Sequence, residues 1–297
     1  MKKFLAIILA ALMCFALFTA CTDSTAPLED AADDVTPEAE TEAETEVETE
    51  TEPEAEPEAE AASDLQAIKD RGVLVVGITD FAPMDYQDEA GNWIGFDADM
   101  AKAFAEYLGV DVQFQVIDWD NKVLELNSGT IDVVWNGMTL TEEVKAAMEC
   151  SNAYCNNAQV VILPADVAEN YADTQSMADL LFAVEAGSAG EAEALANGFG
   201  TTAVLDQATA LLEVSTGNAD AAVIDSLMAG AMVGEGTDYA SLTYTIGLNS
   251  EEYGVGFRKG SDAAEALNAF FVECYAEGTM MEMAETYGVQ AAVIAQY

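Results

Sequence analysis

Histidine is absent from this chain, and only nine lysines and arginines stand against 55 aspartates and glutamates in 297 residues. The first absence excludes imidazole general bases, Ser-His triads and histidine-ligated metal sites. The scarcity of cations, with a net charge of −46, excludes nucleic-acid binding, because such a field repels phosphate. Cysteine is also sparse. Beyond residue 21 only Cys150, Cys155 and Cys274 remain, and three thiols without a CxxC spacing or a histidine make a poor metal site. No cofactor or metal is expected. Cys150 and Cys155 are near enough in sequence to pair in an oxidising compartment, with two unpaired buried thiols as the alternative. Long apolar runs are missing too. The longest, Phe4–Phe18, has 15 residues, short of the roughly 20 that a membrane helix needs.

That run has the features of a signal peptide: Lys2 and Lys3 precede it, and Phe18-Thr19-Ala20-Cys21 follows. Small residues before a cysteine at this point resemble the bacterial lipobox, in which the thiol is acylated and becomes the new N-terminus. Residues 1–21 are therefore expected to be a signal peptide with lipobox. Cys21 is the expected lipidation site, and ordinary cleavage after Ala20 is the alternative. Residues 22–62 carry 13 Glu and 4 Asp, no Lys or Arg, and prolines at 27, 37, 53 and 57. Self-repulsion with little apolar surface predicts an acidic disordered tether, able to reach roughly 130 Å at full stretch. What remains, 63–297, holds 38 acids and seven bases.

This remainder alternates between short β-branched runs and helical periodicity. Strands are expected at Val73–Ile78, Val112–Ile117, Ile131–Trp135, Val160–Leu163, Leu181–Val184, Val204–Leu205, Ala221–Ile224, Leu242–Ile246 and Val255–Phe257. Helices are expected after Asp97 as N-cap, from Asn121, after Thr141 with Glu142 and Glu143 in its first turn, after the Gly187–Gly190 loop, from Gln207, from Ser226, and over 263–276 and 280–287. Alternation of this kind predicts an α/β fold built on parallel sheets. Ligands then sit beyond the carboxyl ends of strands, at Thr79-Asp80-Phe81, Asn136-Gly137-Met138-Thr139, Gly187–Gly190 and Asp225-Ser226.

Several segments in series resemble the family 3 extracellular solute-binding proteins. They are Gly95-Phe96-Asp97-Ala98-Asp99-Met100-Ala101-Lys102-Ala103, Trp119 with Leu126-Asn127-Ser128-Gly129-Thr130-Ile131-Asp132, Gly137-Met138-Thr139-Leu140-Thr141, Ala221–Ser226, Tyr253–Phe257 and Gly278-Thr279-Met280. The resemblance implies two α/β lobes, each a mostly parallel sheet flanked by helices, joined by two crossover strands and closing on a ligand. Lobe 1 would be 63–155 with 253–297, and lobe 2 would be 156–252. It also implies a monomeric, lipid-anchored receptor on the outer face of the membrane, serving ABC permease subunits. Its ligand would be an amino acid or related amine.

Site roles carry over by position. Phe81 and Trp119 match the aromatics that sandwich the ligand side chain, against plain core as the alternative. Gly137 and Thr139 match groups that meet the α-carboxylate, and Ser188 either adds N–H donors or is a simple N-cap. Asp225 matches the carboxylate that receives the α-ammonium, against a mere cap on Ser226. Asp80, Asn136 and Glu185 complete the candidate set. Val144 departs from the pattern, since it stands where the family places an arginine clamp. With Glu185 and Asp225 nearby, this points to a ligand that is cationic or neutral at that end, such as a polyamine or a modified amino acid. An enzymatic alternative is a dehydratase or lyase on the same fold, with Asp225 or Glu185 as acid or base. A sensor ectodomain is the third reading.

Overall fold

The computed structural model describes residues 63–297. The leader, Cys21 and the acidic stretch 22–62 lie outside the described residues. Val73–Ile78 is a near-continuous apolar run, as a strand covered on both faces must be. It lies parallel to Asp111–Val116 on one side and to Val133–Thr139 on the other. Glu251–Arg258 then adds antiparallel to Val133–Thr139, and Met148–Cys150 and Cys155–Asn157 pair with it in turn. The second sheet has the strand order 200–204, 181–185, 221–225, 159–164, 242–247. Its first three strands are parallel and its last two antiparallel.

The chain is therefore two α/β lobes, each with a parallel centre and antiparallel strands at one side. The antiparallel members are the segments that cross between lobes. Chain leaves the first sheet after Cys155–Asn157 and enters the second at Gln159, then returns from Gly247 to Glu251. Two short crossings join the lobes, the connectivity found in hinged two-domain clamps.

Helices form where the sequence signals them, with one shift and one addition, Asp64–Arg71, which was not expected from the sequence. Phe96–Leu108 buries Met100, Phe104 and Ala105 and stops at Gly109, whose φ of 74° suits glycine. Its N-cap is Gly95, not Asp97, so the expected cap is corrected. Asp97 is buried within the first turn and accepts hydrogen bonds from Gly137 N and Tyr154 Oη, both at 2.7 Å. It serves tertiary structure, with burial lifting its pKa to about 6. Thr141 caps Glu142–Ala147 through Val144 N as expected. Lobe 1 packs Phe104, Trp135 and Phe271 in its core; lobe 2 stacks Phe182 on Phe199 at 4.1 Å.

All three cysteines of the domain are free thiols. Cys150 pairs with Gly256 and Cys155 with Tyr253 on one partner strand. Three residues of strand separate them by roughly 10 Å, beyond the reach of a disulfide.

The lobes touch at Gly187. A Cβ there would fall 2.6 Å from Asp120 Oδ1 and 2.8 Å from Asp120 Cα, and its φ is +69°. Gly187→Ala is expected to force the lobes apart. Small-angle scattering should show a larger radius of gyration with an unchanged circular dichroism spectrum. An unchanged radius would mean that this contact does not set the closure.

Candidate functional site

The carboxyl ends of four strands converge on the seam between the lobes. They enclose a cavity of about 280 Å³, at the small end for ligand sites. Phe81, Trp119, Asn136, Gly137, Thr139, Glu185, Ser188 and Asp225 all line it. Asp80 does not. It is exposed and faces a separate groove with Tyr86 and Tyr287, because it points away from the side of the chain that carries Phe81. Burial and the Asp206 carboxylate raise its pKa.

Two of these residues are built to shape the wall. Phe81 is 2% exposed and meets Tyr253 edge-on, with ring centroids 6.3 Å apart. Gly137 lies against that ring: a Cβ there would fall 2.3 Å from Phe81 Cε1, so only glycine fits. Asn136 acts as a strut. Its Oδ1 accepts from Thr79 N and Oγ1, and its Nδ2 donates to Asp85 Oδ2 at 2.8 Å. The groups matched to the α-carboxylate already have protein partners. Gly137 N donates to Asp97, and Thr139 Oγ1 donates to Glu251 Oε1 at 2.8 Å. Ser188 is an N-cap, its Oγ accepting from Glu191 N at 3.0 Å. Val144 lines the cavity too, packed with Ile117, Trp119 and Met148. That wall is apolar where a clamp would stand.

Lobe 2 brings carboxylates. Asp225 ends strand 221–225 but makes no side-chain cap bond to the following helix. Instead Oδ1 accepts from Gln159 Nε2 and Tyr253 Oη, both at 2.9 Å, and from Asn157 Nδ2; Oδ2 accepts from Gln207 Nε2. All four donors are neutral, so nothing offsets its charge directly. Burial, then the Glu251 carboxylate, lifts its pKa to about 7. Glu185 ends the neighbouring strand. It is buried, Oε1 has no hydrogen-bond partner, and burial followed by Asp225 pushes its pKa to about 8.

Sequence reasoning missed Gln207, Lys122 and the amides that reach Asp225. Gln207 sits one residue past the cap of the helix after strand 200–204, a fifth strand end that the alternation pointed to. Lys122 follows Trp119 by three residues, the spacing that puts two side chains on one helical face. Its Nζ lies 4.8 Å from the centre of the Trp119 ring, a cation–π distance.

The sequence matches the family described as "Bacterial extracellular solute-binding proteins, family 3" over residues 74–290. The chain belongs to this family. It is similar to the L-cystine-binding protein TcyJ of Escherichia coli (strain K12), at 29% identity over 75% of this chain and 85% of that one. A solved mutant of ArgBP from T. maritima is 30% identical, with a TM-score of 0.70 over 76% of this chain and 99% of that one. The cyclohexadienyl dehydratase of Pseudomonas aeruginosa matches more locally, at 34% over 27% of this chain and 31% of the enzyme. Among the described residues no helix is long and apolar enough to cross a membrane.

The raised acids set a pH signature. Between its ordinary value of 4.5 and about 8, Glu185 binds more proton in the native than in the unfolded state. Stability contributed at low pH is therefore lost as pH rises through that window. In ligand-free protein, Glu185→Gln is expected to gain in melting temperature over the parent progressively from pH 5 to pH 8. A difference that stays constant across these melts would mean that Glu185 ionises normally.

Proposed function

We propose that this protein is the substrate-binding receptor of an ABC importer for amino acids or related small amine-bearing solutes, its two lobes closing on the ligand. The observation that carries the reading is the pair Asp225 and Glu185, two buried carboxylates on adjacent strands with no cation bonded to either. A ligand ammonium supplies the missing charge, since a buried carboxylate is stable as an anion only when paired. Phe81 and Trp119 give the ligand body an aromatic lining, and Ser188 sits at a helix start beside it. Family membership supports the import role, and ArgBP has been solved with arginine bound. Acylation at Cys21, with 22–62 as a tether, would hold the receptor at the outer face of the membrane beside its permease.

A second reading is a dehydratase or lyase on the same scaffold, favoured by carboxyl groups whose pKa values lie near neutrality, where general acids and bases work best. Mass spectrometry of small molecules released from protein purified without unfolding separates the readings. An unaltered amine-bearing solute is expected. Asp225→Asn should bind it about thirtyfold or more weakly, a cost of ~2 kcal/mol or more. A solute without an amine would sink the receptor reading as stated, and its chemical conversion on incubation would favour the enzyme.

A further inference from the structure

Position 144 leaves the cavity without its expected cation, yet one cation lines it. Lys122 begins the helix Lys122–Ser128 in lobe 1, and the residue is only 9% exposed. Of the other six bases in 63–297, Arg71, Lys102, Lys145, Arg258 and Lys259 each pair with a carboxylate, and Lys69 is exposed to solvent. Lys122, among the described residues, has no carboxylate within salt-bridge distance. Its Nζ donates to two carbonyls, Trp119 O at 3.1 Å and Gly187 O at 2.9 Å. An ammonium has three donors, so one remains. Lysine is almost never buried unless paired, and two neutral carbonyls hold this charge in place without cancelling it. Opposite stand Glu185, whose Oε1 is unpartnered, and Asp225. The cavity thus carries one cation from lobe 1 facing two carboxylates from lobe 2.

A solute that complements this set carries one acidic group and two cationic ones. We propose that Lys122 does the work of the missing arginine, so that the receptor takes a basic amino acid through its carboxylate and rejects the decarboxylated diamine. This rests on the receptor reading above. It also replaces the ligand, cationic or neutral at the clamp end, that Val144 with Glu185 and Asp225 led us to expect. Lys122 acts as a specificity-determining residue on an element different from the one that carries position 144. Because it also bonds Gly187 across the seam, its loss weakens closure for any ligand. Only a direct contact with the acidic group makes it discriminate between two ligands that differ in that group.

Calorimetry on ligand-free full-length protein provides the test, with two matched pairs as probes: L-arginine against agmatine, and L-lysine against cadaverine. In at least one pair the carboxylate-bearing member is expected to bind about tenfold to a hundredfold more tightly, the range for one hydrogen bond to a charged group. Lys122→Met should bring that ratio close to one, and Lys122→Arg should preserve it, with melting curves confirming that both variants fold. A parent protein that binds the diamine as tightly as the amino acid overturns the inference without needing any variant. So does a ratio that survives Lys122→Met while both affinities fall together, which marks a pure latch. Binding of none of the four probes also overturns it. The receptor reading then stands or falls separately, on whether the released solute carries an amine.

Discussion

A buried carboxylate held only by neutral donors is the constraint on which the rest of this structure depends. Asp225 is placed by the end of one lobe-2 strand, yet its hydrogen bonds come from both crossings between the lobes. Asn157 and Gln159 lie on the outgoing crossing and Tyr253 on the returning one. The same two amides also donate to Glu251 Oε1, at 2.7 and 2.8 Å, and Glu251 accepts from Thr139 in lobe 1. A change of charge at Asp225 is therefore felt at once by both hinge strands and by the lobe-1 wall. Buried networks of this kind are strong when every member is satisfied and costly when one is not. Asp225 is satisfied geometrically but not electrically, so a ligand cation of the kind proposed above would act on the hinge strands as it binds.

The lobe-1 side completes the electrical arrangement. Trp119 and Lys122 come from one turn, and the lysine reaches Gly187 across the seam. Gly187 in turn lies against Asp120, closely enough to exclude any side chain. The contacts across the seam, the cavity's charges and its aromatic lining thus share a few residues. Val144 stands in an apolar wall, packed against the cluster that contains Trp119 and Met148, and on the inference above the cation comes from Lys122 instead.

The fold was readable because its signals are local. β-branched runs marked the central strands, and Gly109 and Thr141 marked helix ends by their own chemistry. Phe81, Trp119, Glu185 and Asp225 were legible as cavity-lining residues because they follow expected strand ends. What stayed hidden depends on contacts far apart in sequence. Asp97 resembles a cap, but Gly137 and Tyr154, 40 and 57 residues away, claim its oxygens. Whether Cys150 and Cys155 pair stays open in the sequence, and only the register of the strand at 251–258 separates them. Asp80 follows a strand end like Phe81, yet the alternation of side chains turns it outward. Asn157, Gln159 and Glu251 resemble ordinary polar strand residues, and only the lobe arrangement shows that they converge on Asp225. Nothing local to Lys122 marks it as a cavity residue, since its contact with Gly187 spans 65 residues.

The most direct measurement is a carbon-13 NMR titration of the Glu185 and Asp225 carboxyl groups, with and without an amine-bearing solute that the protein is found to bind. Protonated carboxyl signals are expected near neutral pH in the empty protein, with midpoints close to 8 for Glu185 and 7 for Asp225. Both signals should move to the ionised position when the solute is added. Ordinary carboxylate midpoints in the empty protein, or signals that do not respond to the solute, would contradict the claim that these two acids await a ligand cation.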